Sequence, residues 1–227
     1  MLKAVLAANW KSNMTLAEMT DWVNGFRRTM ETQNQLDFPQ ATIIVCAPFT
    51  LLLPLKEKIA GLALPIAVGA QDVSPFGSGA YTGEVNAAQI KEFADWVIIG
   101  HSERRQNFGE ADEMLRQKVE QARSAGLKVI YCVQDETQPV PDGVEVVAYE
   151  PPGAIGTGRP DTPENANNVA QVIRQKFSQV TQVVYGGSVK PENVRAFVAQ
   201  EFINGVLVGG ASLTPDSWFN LVVAANS

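Results

Sequence analysis

Eight short apolar runs recur along the chain, each rich in valine, isoleucine or alanine. The runs cover residues 3–9, 42–48, 65–71, 95–100, 127–133, 145–150, 182–187 and 204–210. Their apolar residues follow one another without the polar alternation of a half-exposed strand, which is typical of strands buried on both faces in a parallel sheet. The pattern therefore predicts eight buried parallel strands.

Helix-like segments occupy most of the intervals between these runs. They cover residues 15–34, 111–126, 162–177, 190–200 and 214–226. Thr162 before Pro163 is a helix start signal, and Gly126 is a suitable helix stop. Eight strand–helix units predict one (βα)₈ barrel domain over residues 1–227, with an open doubly wound sheet as the alternative.

The connection after the fifth run departs from this regular pattern. Its sequence, QDETQPVPDG (residues 134–143), is too short and too rich in proline for a full helix. We therefore expect the helix after strand 5 to be shortened or missing.

Composition and charge narrow the possible partners. The net charge of −6 with no basic tract disfavours nucleic acid and anionic membranes. No apolar run reaches the ~18 residues that would span a bilayer, and the N-terminal stretch is interpreted as a strand rather than a signal peptide. Cys46 and Cys132 both lie in predicted strands, which favours packing in a reducing, cytoplasmic compartment over a disulfide or metal site.

Polar residues and glycines follow several of the predicted strands. They are Asn9, Lys11, His101, Glu150, Gly186, Gly187, Ser188, Gly209 and Gly210. Because the carboxyl ends of all barrel strands lie at one end of the barrel, where active sites of this fold are built, these residues are expected to converge in space.

Taken singly, these residues also have ordinary structural explanations. Lys11 alone is typical of a solvated charge, and Ser188 alone of a cap for a helix opened by Lys190 and Pro191. His101 precedes Ser102, a good N-cap, and a helix N-terminus would keep the imidazole neutral and able to donate a hydrogen bond to a carbonyl oxygen.

The glycine pairs predict a phosphate site. Gly186-Gly187 and Gly209-Gly210 follow the seventh and eighth runs and precede helices, so their unhindered N–H groups could bind an anion. Two tight turns that need glycine are the structural alternative for either pair. Such amides together with Lys11 would bind an anion on a net-negative protein.

The stretch AYEPPGAIGTGRP (residues 148–160) predicts a base and a hinged lid. Glu150 ends a buried strand, and a carboxylate in a partly apolar pocket is a better base. Prolines restrict the chain on both sides of the flexible Gly156-Thr157-Gly158. Such a loop could close over a ligand, expel water and bring Ile155 over the carboxylate.

Seven stretches together resemble the triosephosphate isomerase family. They are AANWKSN (7–13), GAYTGEV (79–85), IIGHSERR (98–105), AYEP (148–151), AIGTG (154–158), YGGSVKPEN (185–193) and LVGGASL (207–213). They occur in the family's order. The helices between them carry little of the resemblance.

The resemblance implies interconversion of dihydroxyacetone phosphate and D-glyceraldehyde 3-phosphate in glycolysis and gluconeogenesis, without metal or organic cofactor. It assigns Glu150 as the base and His101 as the electrophile that polarises the carbonyl group. Lys11 would offset negative charge on substrate and enediolate, and Asn9 would hydrogen-bond the oxyanion.

The resemblance also assigns the residues around these four. The phosphate would be bound by N–H groups of Gly156, Ser188, Gly209 and Gly210. Glu103 matches a carboxylate near Lys11, Ser102 follows the histidine, and Leu207 would form with Ile155 an apolar clamp over the base.

Two departures from the family pattern concern the lid and the assembly. Gly153 replaces a bulky anchor at the start of the lid, and the helix after strand 5 is missing. The long third loop, with Thr82 as its contact, is retained, so a homodimer or homotetramer is expected.

Two other functions stay open at this point. One is a non-catalytic phosphate-sensing or scaffold relative, which the joint presence of base, electrophile, lysine and lid disfavours. The other is a different phosphosugar barrel, such as phosphoribosylanthranilate isomerase, for whose large aromatic substrate the short lid leaves little room.

Overall fold

The computed structural model describes residues 3–154 and 159–226. Its eight strands are β1 (Ala4–Asn9), β2 (Ala41–Ala47), β3 (Ile66–Ala70), β4 (Trp96–Ile99), β5 (Lys128–Val133), β6 (Val146–Tyr149), β7 (Gln182–Tyr185) and β8 (Gly205–Val208). Seven of the predicted runs contain their strand entirely, and β2 begins one residue before its run. The predicted strands are therefore confirmed.

The strands form one closed parallel barrel in the order of the sequence. Closure is made by β1 and β8, where Val5 pairs with Gly205 and Ala8 pairs with Val208. The (βα)₈ barrel is confirmed, and the open doubly wound sheet is wrong.

Alternate residues of each strand are buried in two different places. One cluster consists of strand residues alone, such as Ala7, Ile98 and Leu207, and fills the barrel interior. The other contains their strand neighbours, such as Leu6 and Ala8, packed with residues of the helices. Side chains of a strand alternate between its two faces, so the continuous apolar runs follow from burial on both.

The eight helices of the described chain surround the barrel. They are α1 (Leu16–Thr32), α2 (Leu52–Gly61), α3 (Ala87–Lys91), α4 (Ser102–Phe108), α5 (Asp112–Ser124), α6 (Pro163–Lys176), α7 (Val194–Val198) and α8 (Pro215–Ala225). Thr162 caps α6 ahead of Pro163, as predicted. Gly126 lies just beyond α5 with a φ of 75°, which confirms it as a stop. Neither these helices nor any other described segment forms an apolar helix long enough to cross a membrane.

Residues 134–145, which connect β5 to β6, form turns and no helix, as predicted. The Asp135 carboxylate accepts hydrogen bonds from the N–H groups of Thr137 and Gln138, and the Gln138 side chain accepts one from the N–H of Gln134 at 2.6 Å. Lys176 of α6 donates to two carbonyl oxygens of this segment. The connection is therefore held by polar contacts of its own and by the next helix.

Candidate active site

A cavity of about 680 Å³ opens at the carboxyl ends of the strands. Its lining includes ten of the predicted site residues, namely Asn9, Lys11, His101, Glu150, Gly186, Gly187, Ser188, Leu207, Gly209 and Gly210. Ile155 and Gly156, predicted to cover the base and to bind phosphate, lie outside the described residues. Residues from β1, β4, β6, β7 and β8, or from the loops directly after them, thus meet at one place, because all parallel strands end at the same face of the barrel.

Glu150 follows the last residue of β6 and is buried, with 1% of its surface exposed. Its Oε2 accepts a hydrogen bond from the N–H of Ser102 at 2.8 Å. Its Oε1 lies 3.1 Å from Nε2 of His101, although these two atoms make no aligned hydrogen bond. A buried carboxylate with one oxygen left without a donor is a costly arrangement and marks a position available for chemistry.

The protonation of His101 follows from its own hydrogen bond. Its Nδ1 accepts from the N–H of Glu103 at 3.2 Å, so this nitrogen carries the lone pair and the ring proton lies on Nε2. The Nε2–H therefore faces Glu150 and the cavity. A neutral imidazole in this orientation can donate a hydrogen bond to a substrate oxygen.

The prediction that Ser102 caps the following helix is wrong. His101 is the N-cap of α4, and Ser102 is its first residue. The imidazole can cap because its Nδ1 reaches the N–H two residues on, and this leaves the N–H of Ser102 free to bind Glu150. The histidine and the carboxylate are therefore both positioned by the first turn of one helix.

Lys11 is held in an unusual backbone conformation at the end of β1. Its φ of 53° lies in the left-handed region, and its N–H donates to Oδ1 of Asn9 at 3.0 Å. Its ammonium group makes an ion pair with the Glu103 carboxylate. A Cβ at Gly209 would lie 3.2 Å from Cε of Lys11, so glycine there leaves room for the lysine side chain.

Steric reasons account for the first glycine pair as well. A Cβ at Gly186 would lie 2.8 Å from Cγ of Glu150, and one at Gly187 would lie 2.2 Å from the Tyr185 hydroxyl oxygen. By contrast, nothing lies within 4 Å of a Cβ built at Gly210. Close packing therefore requires glycine at the first pair, although neither residue has the positive φ of a turn that only glycine can make. Space alone does not explain Gly210.

Backbone N–H groups beside the cavity are available to a ligand. Within residues 3–154 and 159–226, the N–H groups of Ser188, Gly209 and Gly210 donate to no protein acceptor. Backbone donors left unpaired by the protein are usually satisfied by water or a ligand. Together with Lys11 they form a place for an anion.

Ser188 does not cap the following helix, so that alternative is wrong. The helix α7 begins only at Val194, with Asn193 as its N-cap, and the side chain of Asn193 accepts from the N–H of Lys190. The Ser188 hydroxyl donates instead to the carbonyl oxygen of Ala154 at 2.6 Å. Ser188 thus joins the loop after β7 to the loop after β6.

Ser217 and Asn220 of α8 also line the cavity and were missed in the sequence. They stand three residues apart on one face of α8, the next α-helix along the chain after the Gly209-Gly210 pair, and this spacing is the signal that could have found them. Both cysteines are free and buried, and burial raises the pKa of Cys46 to about 12. No group of three or more His, Cys, Asp or Glu in the described part of the chain could hold a metal ion.

The fold and the site define a (βα)₈-barrel enzyme of the acid–base type, with a buried carboxylate beside a neutral imidazole at the carboxyl ends of the strands. A family model described as triosephosphate isomerase matches residues 4–225. The chain belongs to the triosephosphate isomerase family.

Individual relatives agree with this assignment along nearly the whole chain. A triosephosphate isomerase of Alkaliphilus metalliredigens is 37% identical over 98% of this chain and 99% of its own. One of Synechocystis sp. is 40% identical over 98% of each chain. The crystal structure of the enzyme from Bartonella henselae matches with a TM-score of 0.84 and 28% identity over 100% of both chains.

Proposed function

We propose that the chain is an aldose–ketose isomerase that interconverts dihydroxyacetone phosphate and D-glyceraldehyde 3-phosphate, the reaction of the triosephosphate isomerase family. The observation that carries the mechanism is the Glu150 carboxylate, buried and 3.1 Å from Nε2 of His101 in the cavity. One group can take a proton from carbon while the other donates a hydrogen bond to oxygen, which is what an enediolate pathway requires.

In this proposal Glu150 moves the proton between the two carbons. It takes a proton from C1 of dihydroxyacetone phosphate, and the electron pair of the broken C–H bond forms the enediolate. The protonated carboxyl group then returns the proton to C2 to give the aldehyde. The carboxylate is 1% exposed, so bulk water has little access to it. The substrate must contact both Glu150 and His101, because both act on its atoms.

His101 acts on the two oxygens of the enediolate. Its Nε2–H donates to the carbonyl oxygen as negative charge develops there, and it exchanges a proton between the two oxygens. The hydrogen bond from the Glu103 N–H keeps Nδ1 unprotonated, so the ring begins as a neutral donor. It becomes an imidazolate when its Nε2 proton passes to one oxygen, and it is neutral again when Nε2 takes the proton from the other oxygen. Lys11 offsets the negative charge of the intermediate. The Asn9 side chain donates a hydrogen bond to the oxyanion, and its Oδ1 accepts one from the Lys11 N–H and so orients Lys11.

The phosphate group is bound by backbone N–H groups in this proposal. Those of Ser188, Gly209 and Gly210 line the cavity without a protein acceptor within the described residues, and Gly156 adds a fourth by family resemblance. Such donors fix an anion without adding net charge to an acidic protein. Leu207 is 3% exposed and, by family resemblance, would form the apolar cover of the base together with Ile155.

A coupled assay with D-glyceraldehyde 3-phosphate tests the function directly. The purified chain should turn the substrate over, and Glu150→Gln, which keeps the size of the side chain and removes the base, should abolish turnover. A folded wild-type chain without turnover would favour the non-catalytic, phosphate-sensing alternative.

We also propose self-association through the loop between β3 and α3. Phe76 and Tyr81 stack there with ring centroids 4.3 Å apart, although 42% and 45% of their surfaces are exposed. The base of the loop is held by Asp72, which is ion-paired with the buried Lys118 at 2.6 Å. An exposed aromatic pair near Thr82 on a firmly held loop is suited to contact a second copy, as a homodimer or homotetramer.

The remaining parts of the proposal concern the chain as a whole. We propose that residues 1–227 form one domain, supported by the pairing of β1 with β8 from opposite ends of the chain. The reaction belongs to glycolysis and gluconeogenesis. A cytoplasmic location is supported by two buried cysteines that are both free thiols.

A further inference from the structure

Asp161 joins the end of the β6–α6 connection to the ends of two strands. Its Oδ2 accepts a hydrogen bond from the Tyr149 hydroxyl at 3.3 Å. Its backbone N–H donates to the Tyr185 hydroxyl at 2.8 Å. Tyr149 is the last residue of β6, and Tyr185 is the last residue of β7.

The two tyrosines are firmly packed partners. Tyr185 is fully buried and stacks on Phe197 with ring centroids 4.1 Å apart and planes 6° apart. Tyr149 is 5% exposed and lies against Tyr185 at 6.3 Å. Burial raises the pKa of both phenols, and the Asp161 carboxylate raises that of Tyr149 further, so Tyr149 stays a donor.

Tyr149 precedes Glu150 directly, and this links Asp161 to the proposed base. Successive side chains of a strand point to opposite faces. Tyr149 belongs to the cluster between barrel and helices, while Glu150 lines the cavity. A hydrogen bond that holds the Tyr149 ring on the outside therefore fixes the backbone from which the Glu150 carboxylate projects on the inside.

We propose that Asp161 is a positioning residue for Glu150, acting through the Tyr149 hydroxyl. The inference rests on the proposed role of Glu150 as the base. Asp161 sets how far the Glu150 carboxylate projects into the cavity and in which direction. A small displacement in either respect lowers the rate of proton transfer.

The same carboxylate also contacts the beginning of α6, and this offers a competing explanation. Oδ1 accepts from the Thr162 N–H at 2.8 Å, and Oδ2 accepts from Nδ2 of Asn165 at 2.7 Å. These contacts stabilise the first turn of the helix and would affect thermal stability without acting on Glu150. The bond to Tyr149 should instead affect kcat.

The experiment compares Asp161→Ala, Tyr149→Phe, their double variant, Asp161→Asn and the control Asn165→Ala in the coupled assay. Loss of one hydrogen bond to a charged group corresponds to about tenfold, so Asp161→Ala and Tyr149→Phe should each lower kcat by that factor, with KM changed less than about twofold. The double variant should be no slower than the slower single variant. Asp161→Asn, whose amide oxygen still accepts from the phenol, should keep more than about half of kcat.

Three results would overturn the inference. They are an unchanged kcat in Asp161→Ala, effects that multiply in the double variant, and an equal loss of kcat in Asn165→Ala. Circular dichroism melts check folding. If Asp161→Ala does not fold, Tyr149→Phe decides, because a wild-type kcat in that variant contradicts the link.

Wild type and Glu150→Gln in the same assay keep this test separate from that of the function. Inactive wild type, or full activity in Glu150→Gln, contradicts the proposed function and with it the role of Asp161. Active wild type, inactive Glu150→Gln and unchanged Tyr149→Phe contradict the role of Asp161 alone.

Discussion

The connections on the two sides of β6 have similar compositions and different roles. Residues 134–145 precede the strand and residues 150–162 follow it, and both are rich in proline. The first is held by its own side chains and by Lys176 of α6. The second begins with Glu150, and its described parts bind the loop after β7 and the ends of β6 and β7.

The difference lies in which groups are left without a protein partner. Asp135 and Gln138 accept from backbone N–H groups of their own connection. Beside the second connection, one oxygen of Glu150 and the N–H of Ser188 have no protein hydrogen-bond partner among the described residues. Proline content alone does not mark a functional loop. Unpaired polar groups that face a shared cavity do.

Replacement of the proposed base should give the largest effect. Glu150→Asp withdraws the carboxylate by about 1 Å and should lower kcat on the order of 100-fold or more. The matched change in the other connection, Glu136→Asp, should leave kcat within about twofold, because that side chain does not line the cavity. Comparable losses in both variants would remove the distinction between the two connections.

Replacing Lys11 and replacing Lys176 should change kcat/KM to very different extents. Lys11→Met removes the cation that faces the developing negative charge, and kcat/KM should fall about 100-fold. Lys176→Met removes the donor to the first connection and should cost about 1 kcal/mol of stability while kcat/KM stays at the wild-type value. An unchanged kcat/KM for Lys11→Met would mean that Lys11 is only a solvated surface charge.

Replacing one glycine in each region should give effects of intermediate size. A Cβ at Gly209 would crowd Lys11, so Gly209→Ala should lower kcat/KM by about tenfold through displacement of the ammonium group. In the first connection Gly143 has a φ of 74°, and its Cβ would lie 2.0 Å from Cζ of Arg123.

Gly143→Ala should therefore reduce the melting temperature and leave kcat/KM unchanged. Steady-state kinetics and thermal melts on both glycine variants separate the two effects. A normal kcat/KM in Gly209→Ala with a lowered melting temperature would place both glycines in the same structural role.

A small effect on stability alone, like that of Lys176→Met, is expected for a single polar contact of the first connection. Gln138→Ala removes the acceptor of the Gln134 N–H and should lower the free energy of unfolding by about 1 kcal/mol. Urea titration measures this change, and the coupled assay should detect no difference in kcat. A loss of activity would show that the connection between β5 and β6 reaches the site after all.

Much of the site was recognisable before the structure. Continuous apolar runs predicted eight strands buried on two faces, and residues that directly follow those strands had to meet at one end of a barrel. Asn9, Lys11, His101 and Glu150 were found on this ground, and the structure brings all four to one cavity.

Other features depend on contacts that no local pattern encodes. Ser102 has good capping chemistry, yet the His101 imidazole occupies that role because its Nδ1 lies within reach of the second helical N–H. The hydroxyl of Ser188 looked like a helix cap and binds Ala154 instead. The hydroxyl groups of Tyr149 and Tyr185, which lie 12 and 24 residues from Asp161 in the sequence, both bind Asp161. Sequence spacing gives no sign of this.

Hydrophobic periodicity reflects whether a residue faces water or the interior, so the order of strands and helices and the end of the barrel that carries the chemistry can be read from the chain alone. The 3.1 Å approach of His101 to Glu150, the room that Gly209 leaves for Lys11 and the link from Asp161 to Tyr149 depend on how β1 and β8 close the barrel and on how neighbouring strands are staggered. Distances of this kind are set by packing between residues far apart in the sequence, and only the folded chain brings them together.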